Sequence, residues 1–431
     1  MSLKNLDMRS NYKRLGQYVR EVSVKNTDGS VELLLGVGIQ KKTMPSKANT
    51  IGSDMTKYKV VSKSQFVYGP VTSRNGDRIA IALLEEEKCI VSTSYTVFEV
   101  VDREKLLPEY LMMWFRRPEF DRYARFMSHG SAREVFNWEE MCEVELPVPS
   151  IEKQHEIVRE YEVITDRIAL NEKMSLKLEE TAQALYKHWF VDFKFPMPAD
   201  YAESIGKPEL TGKPYKSSGG EMKYCEELGC EIPNTWNTIE LENTINAFLS
   251  NRGKSKSKMN LSEQGLEFPY PVISAMNVNG GTIVKPNTIP FVNATDFEEW
   301  MPEKLEQGDV LLTSEAPMGE LYYISRTTDW LISQRLFGLK PKSEIICGEF
   351  LYFWLKGEHF KRELEGRGSG TSVVGIILSE LKKSLILKAN PLILAEFKKV
   401  ISQIFNLKEF QRLENQMSIS ARRLLLSKLS V

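Results

Sequence analysis

Cysteines and a glycine-lysine pair are the residues of this chain whose spacing first suggests metal or nucleotide chemistry. Cys225 and Cys230 lie five residues apart, but a zinc site needs a second pair of Cys or His ligands, and none follows at ligand spacing. Gly253-Lys254-Ser255 is similar to the end of a phosphate-binding loop, yet Phe248 stands where that loop needs glycine. We therefore expect neither group to bind a metal or a nucleotide.

Two further patterns could indicate catalysis, and both are weak. No Ser, Cys or carboxylate stands at catalytic spacing from the four histidines, His129, His155, His188 and His359. Gly36-Val37-Gly38 and Asn390-Pro391-Leu392-Ile393 faintly resemble motifs of an amino-methyltransferase, but the second lacks the aromatic residue that would stack on a flipped base. We expect a chain without catalytic activity of its own.

Local basic clusters are the remaining chemical signal. The stretch SNRGKSKSK spaces Arg252, Lys254, Lys256 and Lys258 among small residues, a pattern that suits contacts along a phosphate backbone. The whole chain has 57 basic and 58 acidic residues and a formal net charge of −1, so no global positive field attracts nucleic acid. Any such binding must be local.

Two long amphipathic helices are predicted to position these clusters. In residues 149–195 apolar residues recur at coiled-coil spacing: Ile151, Val158, Tyr161, Ile164, Ile168, Met174, Leu178, Ala182, Leu185 and Trp189. A weaker copy ends the chain, with Phe397, Val400, Ile404, Leu407, Phe410, Leu413, Met417, Ala421 and Leu424. We predict that the two helices pair as an antiparallel coiled coil. Asn171 falls on the first stripe, either at the seam edge or as a contact that sets the register.

The remaining segments predict two globular domains, because 431 residues exceed what one core usually holds. Residues 1–148 combine β-like runs with a helix near residues 107–127, which predicts a compact α+β domain. Pro, Gly, Ser and Lys enrich residues 196–224, so a linker is predicted there. A second mixed α/β domain at 225–389, the first long helix at 149–195 and the second at 390–431 complete the predicted order.

An internal repeat relates the two globular domains. Adding 240 to the residue number aligns Trp114 with Trp354, and the turn at Gly130 with the turn at Gly370. The repeat predicts a pseudo-two-fold arrangement of two similar domains separated by the two long helices.

Cysteine usage and hydropathy indicate the compartment. The five cysteines are an odd number in a chain without a secretory apolar region, which favours reduced thiols in a cytoplasm. No apolar run approaches the roughly 18 residues that span a bilayer. We expect a cytoplasmic protein with no membrane partner.

Four local stretches resemble a known family. They are LPVPSIEKQHEIV, which is similar to a Pro-x-x-x-x-Gln helix start, LNEKMSLKLEETAQALYKHWFVDFKFP, EMKYCEELGCEIPNTW and the closing RRLLLSKLSV. On these residues the chain resembles the specificity (S) subunit of type I restriction-modification enzymes over essentially its whole length. The second helix departs from the pattern, because PLILAEFKKV has Glu396 where glutamine is expected.

The resemblance implies a DNA-binding, non-catalytic subunit of a system that defends against foreign DNA. Its two target recognition domains would each read one half of a bipartite double-stranded DNA target. The long helices would set the spacer and dock two methyltransferase subunits, and restriction subunits would join that complex. S-adenosylmethionine, ATP and magnesium are then expected only in the partner subunits.

Such a reader needs hydrogen-bonding groups on loops that face phosphates and base edges. In the first domain the candidate DNA-binding residues are Lys41, Lys42, Lys47, Ser73, Arg74, Asn75, Arg78, Gly130, Ser131 and Arg133. In the second domain they are Arg252, Lys254, Lys256, Lys258, Ser274, Asn277, Ser314, Gln334, Arg335, Arg367, Ser369 and Thr371.

Two other functions stay open at this point. A solitary DNA methyltransferase is distinguished by binding of S-adenosylmethionine to the purified chain. A coiled-coil scaffold with two protein-binding domains is distinguished by the absence of salt-dependent DNA affinity.

The SNRGKSKSK loop yields a first prediction. Replacing Lys254 and Lys256 with Ala should weaken binding to all duplexes alike and flatten the dependence of log affinity on log salt by roughly one to two units, because each phosphate contact releases a counterion. Titrations at several salt concentrations measure this slope, and an unchanged slope removes the loop from the DNA interface.

Overall fold

The computed structural model describes residues 11–46, 54–73, 75–76, 78–130, 133–253, 259–367 and 375–429, with the backbone alone for 364–367. The chain forms two compact units. The first unit comprises residues 1–171 and 414–431, and the second comprises residues 172–413. Each unit therefore contains part of both long helices.

The first unit is a mixed α/β structure. Its strands are β1 (Tyr12–Arg14), β2 (Val19–Val22), β3 (Val24–Lys25), β4 (Leu35–Val37), β5 (Thr43–Pro45), β6 (Lys59–Ser62), β7 (Phe66–Tyr68), β8 (Ile81–Leu83), β9 (Lys88–Val91), β10 (Thr96–Val100) and β11 (Glu145–Pro147). Its helices are α1 (Pro108–Phe115), α2 (Pro118–Phe126), α3 (Trp138–Cys142) and the start of the first long helix, α4 (Ile151–Tyr186).

The second unit is built from the same kinds of element. Its strands are β12 (Met222–Cys225), β13 (Cys230–Pro233), β14 (Asn237–Glu240), β15 (Ile245–Ser250), β16 (Tyr270–Ile273), β17 (Val278–Asn279), β18 (Thr282–Ile283), β19 (Phe291–Val292), β20 (Val310–Thr313), β21 (Leu321–Tyr323), β22 (Leu331–Ile332), β23 (Leu336–Pro341) and β24 (Leu385–Lys388). Its helices are α5 (Ala199–Ser204), α6 (Ala294–Trp300), α7 (Gly348–Lys356), α8 (Glu358–Arg367), α9 (Leu378–Lys382) and the start of the second long helix, α10 (Pro391–Lys428).

One sheet topology occurs in both units. A four-stranded antiparallel sheet has the order β2-β10-β7-β8 in the first unit and β15-β23-β20-β21 in the second. A two-stranded antiparallel ladder also recurs, as β1 with β11 and as β14 with β24. These matches confirm the internal repeat that the sequence predicted.

A buried helix covers the equivalent strand of each sheet. Helix α1 packs against β8, and α7 packs against β21. Both helices are apolar on nearly all sides, which is typical of helices enclosed by a core. Tyr110 and Phe350, at the repeat offset of 240, are 1% and 0% exposed, and Trp114 and Trp354 are 8% and 7% exposed.

The long helices pair antiparallel inside each unit. In the first unit the Arg422 guanidinium lies 6.0 Å from the centre of the Tyr161 ring, and Arg167 Nε donates to Glu414 Oε1 at 2.9 Å. In the second unit Glu179 contacts Lys408, and the Tyr186 and Phe397 rings lie 6.3 Å apart. Within each unit, contacts that lie further along α4 are made to residues that lie earlier along α10. The predicted antiparallel pairing is therefore confirmed.

The predicted apolar stripe is partly wrong about which face is buried. Asn171 is 2% exposed, and its amide donates to Glu414 and Asn415 at 2.7 and 2.9 Å, so it lies within the seam and not at its edge. Gln411 is also buried. Because each residue turns a helix by about 100°, an error of one position in the stripe moves a side chain to another face. Seven residues that were assigned to the buried stripe by hydrophobicity alone are in fact exposed: Met174, Val400, Leu407, Phe410, Met417, Ala421 and Leu424.

Residues 196–224, predicted as a linker from composition, are anchored to the second unit. They contain helix α5, and Met197 and Tyr215 belong to the core of that unit. The Phe195 ring stacks on the rings of Tyr215 and Trp236 at centroid distances of 4.7 and 4.8 Å. A few aromatic side chains thus hold an otherwise loop-like segment in place.

Gln154 explains the glutamine of the helix-start motif. Its side chain is 0% exposed; Oε1 accepts from the Leu107 N–H, and Nε2 donates to the Lys105 and Pro149 carbonyls, each at 2.9 Å. At the repeat offset of 240 the second helix has buried Leu394, whereas Glu396, which the motif alignment placed there, is exposed. The second unit therefore fills this position by apolar packing.

This contrast yields a second prediction. Gln154→Leu should destabilise the first unit by about 2–4 kcal/mol, because buried backbone groups lose their partners. Lys153→Ala, at an exposed neighbouring position, should change the unfolding free energy by less than about 0.5 kcal/mol. Urea unfolding of the full chain measures both, and equal midpoints for Gln154→Leu and the wild type would contradict the role assigned to Gln154.

Candidate nucleic-acid interface

Asp121, on α2, joins two loops of the first unit. Its Oδ1 accepts hydrogen bonds from the Lys41 ammonium at 2.5 Å and from the Ile79 N–H at 3.1 Å. Lys41 lies in the turn between β4 and β5, and Ile79 directly follows the loop of residues 73–78. The carboxylate therefore brings two of the predicted DNA-binding clusters next to each other.

Lys41 itself is buried inside the first unit. It is 6% exposed, and its ammonium also lies 5.5 Å from the centre of the Phe120 ring. Burial lowers the pKa of the Lys41 ammonium, although the Asp121 carboxylate opposes that shift. The position of Lys41 does not support the predicted contact with DNA, because its charge is paired inside the unit.

The loop around Gly130 joins the same surface. His129 and Val135 exchange backbone hydrogen bonds of 3.1 and 2.9 Å, and the Thr72 N–H donates to the Glu134 carbonyl at 3.0 Å. Gly130 has a φ of 137°, and a Cβ there would lie 2.1 Å from the Arg133 carbonyl oxygen, so glycine is required. We call this surface the first edge; it comprises Lys42, Ser73, Asn75, Arg78, His129, Gly130 and Arg133.

Most side chains of the first edge point to solvent. Lys42, Ser73, Arg78 and Arg133 are exposed. Asn75 is half-buried, and its Nδ2 donates to the Val71 carbonyl at 3.3 Å. The edge thus presents three cations and a hydroxyl on loops that are fixed by backbone hydrogen bonds.

The second unit has an equivalent edge. The Ile376 N–H donates to the Ser314 carbonyl at 2.8 Å, and in the first unit the Phe136 N–H donates to the Pro70 carbonyl at 2.8 Å. Phe136 and Ile376 are again 240 residues apart, so the same hydrogen bond holds the same two loops.

Two arginines lie on these loops. Arg252 Nη1 donates to the Ile376 carbonyl at 2.9 Å, and Arg335 Nε pairs with Glu315 at 3.1 Å. Both arginines are largely exposed. We call this surface the second edge; it comprises Arg252, residues 314–319, Gln334, Arg335 and Gly375.

Three predicted base-contacting residues of the second unit are buried instead. Ser274 Oγ donates to Asn277 Oδ1 at 2.6 Å, and Asn277 Nδ2 donates to Thr288 Oγ1 at 3.2 Å, so the two residues cap a short helical turn. Ser314 is 2% exposed. The positions of Ser274, Asn277 and Ser314 therefore do not support the predicted base contacts, and the Ser-x-x-Asn spacing is that of a capping box.

The other candidates keep the status of predictions. Gln334 is half-buried on the second edge. Outside the described residues lie Lys47, Arg74, Ser131, Lys254, Lys256, Lys258, Ser369, Thr371 and the side chain of Arg367. Sequence reasoning also missed Asp121 and Glu315, because a single acidic residue without a motif around it looks like a solvated surface group.

Metal-binding groups and membrane-spanning helices are both absent from the described ranges. No three His, Cys, Asp or Glu side chains there are grouped so that they could hold a metal ion. Within the same ranges no helix is both long and apolar enough to cross a membrane.

Comparison with known proteins gives a consistent set of matches. The family model described as type I restriction modification DNA specificity domain matches residues 40–180 and 233–409. The HindI specificity subunit of Haemophilus influenzae is 24% identical over 409 residues, which cover 86% of each chain. The MjaIX specificity subunit of Methanocaldococcus jannaschii is 27% identical over 164 residues, covering 38% of this chain and 33% of that one.

A solved structure has the same fold. The S subunit of a type I restriction-modification system from M. genitalium superposes with a TM-score of 0.56 at 13% identity, covering 97% of this chain and 95% of that chain. The predicted fold class, two similar mixed α/β regions with two long helices, is confirmed by this likeness.

The Lys41–Asp121 pair yields a third prediction. Lys41→Met should lower the unfolding free energy by about 3 kcal/mol because it leaves a buried carboxylate unpaired. The double variant Lys41→Met/Asp121→Leu should lose less unfolding free energy than the sum of the losses of the two single variants.

The exposed neighbour Lys42 provides the control. Lys42→Ala should leave stability unchanged and flatten the salt dependence of DNA affinity by about one unit. Urea unfolding and DNA titration measure these values; additive losses for Lys41 and Asp121 would contradict the pairing.

Proposed function

The chain belongs to the family of type I restriction modification DNA specificity domains, and from this premise we propose how its two units share the recognition of DNA. It is the DNA sequence-specificity subunit of a type I restriction-modification enzyme. The first edge reads one half of a bipartite target, and the second edge reads the other half. The observation that carries this proposal is the recurrence of one loop arrangement in both units.

The exposed side chains suit two kinds of DNA contact. Lys42, Arg78 and Arg133 on the first edge and Arg252 on the second bind phosphates, which position the unit on the duplex without reading sequence. Arg335 and Gln334 read base edges, because guanidinium and amide groups make paired hydrogen bonds with guanine and adenine. Before DNA binds, Arg335 is held by its ion pair with Glu315.

The chain supplies recognition and leaves the reactions to other subunits. Asn390 Oδ1 accepts from the Leu392 N–H at 2.8 Å and so caps α10, which gives this methyltransferase-like stretch a structural role. Gly36 and Val37 pair with β5 in a hairpin, whereas a nucleotide-binding glycine motif lies between a strand and a helix. S-adenosylmethionine, ATP and magnesium are held by the partner subunits.

The long helices carry the docking surface for two methyltransferase subunits, and restriction subunits join that complex. On α10 Leu407 is 41%, Phe410 62% and Met417 74% exposed, and on α4 Val163 is 64% exposed. Exposed apolar residues at helical spacing suit a partner that buries them, since water-exposed apolar stripes are costly.

A domain exchange tests the division of labour and is the fourth prediction. Replacing residues 1–148 with the corresponding domain of the Haemophilus influenzae relative should change one half of the methylated motif and leave the other half and the spacer intact. Exchanging residues 225–389 is the matched control and should change only the other half. Methylome sequencing of cells that express each chain with its modification partner gives the result; an exchange that alters both halves overturns the proposal.

The seam allows the spacer to be tested separately, as a fifth prediction. Seven residues inserted after Asn171 and seven before Glu414 preserve the heptad pairing of α4 with α10. The helices gain about 10 Å, which corresponds to roughly three base pairs of B-DNA. The methylated motif should keep both half-sites and gain about three base pairs between them, and an unchanged spacer would show that the helices do not set it. An insertion in α4 alone misaligns the seam and should abolish methylation.

A further inference from the structure

Cys225 and Cys230 face each other across a hairpin. Strands β12 and β13 pair antiparallel, and Cys225 lies directly opposite Cys230 in the register. Directly opposite residues of antiparallel strands have Cα atoms about 4.5–5.5 Å apart, within the range of about 4.4–6.8 Å that disulfides span. Both thiols are free. The fold therefore turns two cysteines of unremarkable spacing into a pair that can be bridged.

The two thiols differ in access and in partners. Cys230 is exposed, whereas Cys225 is 6% exposed and belongs to the core of the second unit. Cys225 Sγ donates to Glu227 Oε2 at 3.1 Å. The loop between the strands is tight, since the Gly229 N–H donates to the Cys225 carbonyl at 2.9 Å and Gly229 has a φ of 65°. A reagent in solution thus reaches Cys230 first, while Cys225 stays protected in the core.

We propose that Cys225 and Cys230 form a reversible intramolecular disulfide when the chain meets a low-molecular-weight disulfide, with Cys230 as the attacking thiol and Cys225 as the resolving thiol. The inference is independent of the function proposed above. It rests on the register of the hairpin and on the exposure of one of the two thiols.

The exchange proceeds in two balanced steps. The Cys230 thiolate attacks one sulfur of the reagent R–S–S–R; a bond forms between Cys230 and that sulfur, and one thiolate RS⁻ leaves. The Cys225 thiol then loses its proton to solvent, and its thiolate attacks Cys230 Sγ, which releases the second RS⁻. The leaving thiolates take up the two protons that the cysteines lost. The chain is oxidised by two electrons, and the reagent is reduced to two molecules of RSH.

The bridge would hold the hairpin of β12 and β13 together in the second unit. Ile232 on β13 is 1% exposed and Trp236, just beyond it, is 2% exposed, so the hairpin is anchored in the core on that side. A disulfide restricts the unfolded chain, and the folded hairpin already holds the two residues in register. The oxidised chain should therefore unfold at a higher temperature than the reduced chain.

The test uses the full chain under native conditions with oxidised glutathione as the reagent. Of the five cysteines, two should become unavailable to alkylation, and mass spectrometry should find one peptide pair linked through Cys225 and Cys230. Dithiothreitol should restore both thiols. Cys142→Ser, at a half-buried site in the first unit, is the matched control and should behave as the wild type.

Variants separate the two steps. Cys230→Ser, at an exposed position, should lose no thiol and show no rise in unfolding temperature. Glu227→Gln should form the mixed disulfide at Cys230 at the wild-type rate and resolve it at least as fast, because burial and the neighbouring Glu227 carboxylate raise the pKa of the Cys225 thiol. A wild-type chain that keeps all its thiols, stops at the mixed disulfide, or links Cys230 only to a second copy overturns the proposal.

Discussion

Each unit completes its hydrophobic core with side chains from both long helices, and the rest of the structure depends on this shared packing. In the first unit Val158 and Tyr161 from α4 form one cluster with Leu429, and Leu425 and Leu426 from α10 pack against it. In the second unit Tyr186 from α4 and Phe397 from α10 belong to one buried cluster. Fully burying such a side chain contributes about 1.5–3 kcal/mol, whereas an isolated helix is only marginally stable in water. The helices are therefore held by the units that they connect.

Charged contacts add a second constraint within this packing. Glu179 on α4 contacts both Lys408 on α10 and Lys356 on α7, and its side chain is 17% exposed. Burial alone would raise the pKa of Glu179, but the two lysines outweigh it and hold that pKa below its ordinary value. The contact stabilises the second unit above the ordinary glutamate pKa, and this contribution is lost as pH falls through the lowered value. A misaligned helix pair would leave this carboxylate buried and unpaired, which is costly.

In both edges the backbone hydrogen bonds that hold the loops are alike, whereas the exposed side chains on those loops differ. The frame is made by backbone hydrogen bonds, such as those from Phe136 to Pro70 and from Ile376 to Ser314. These bonds do not depend on which side chains the loops carry. Exposed residues such as Arg78 and Arg335 can therefore differ between the units while the loops keep their positions, which suits a protein that reads two different half-sites on one fold.

The sequence by itself determined the two long helices, the repeat at an offset of 240 and the family, because periodicity and local motifs are properties of neighbouring residues. It did not determine which face of each helix is buried or which polar residues reach solvent. Those were decided by partners far away in the chain: Asp121, 80 residues from Lys41, turns a predicted DNA contact into an internal ion pair. Asn171 lies in the seam because Glu414 and Asn415, on the other helix, accept its hydrogen bonds. Burial is a property of the assembled fold, so only the tertiary structure could assign it.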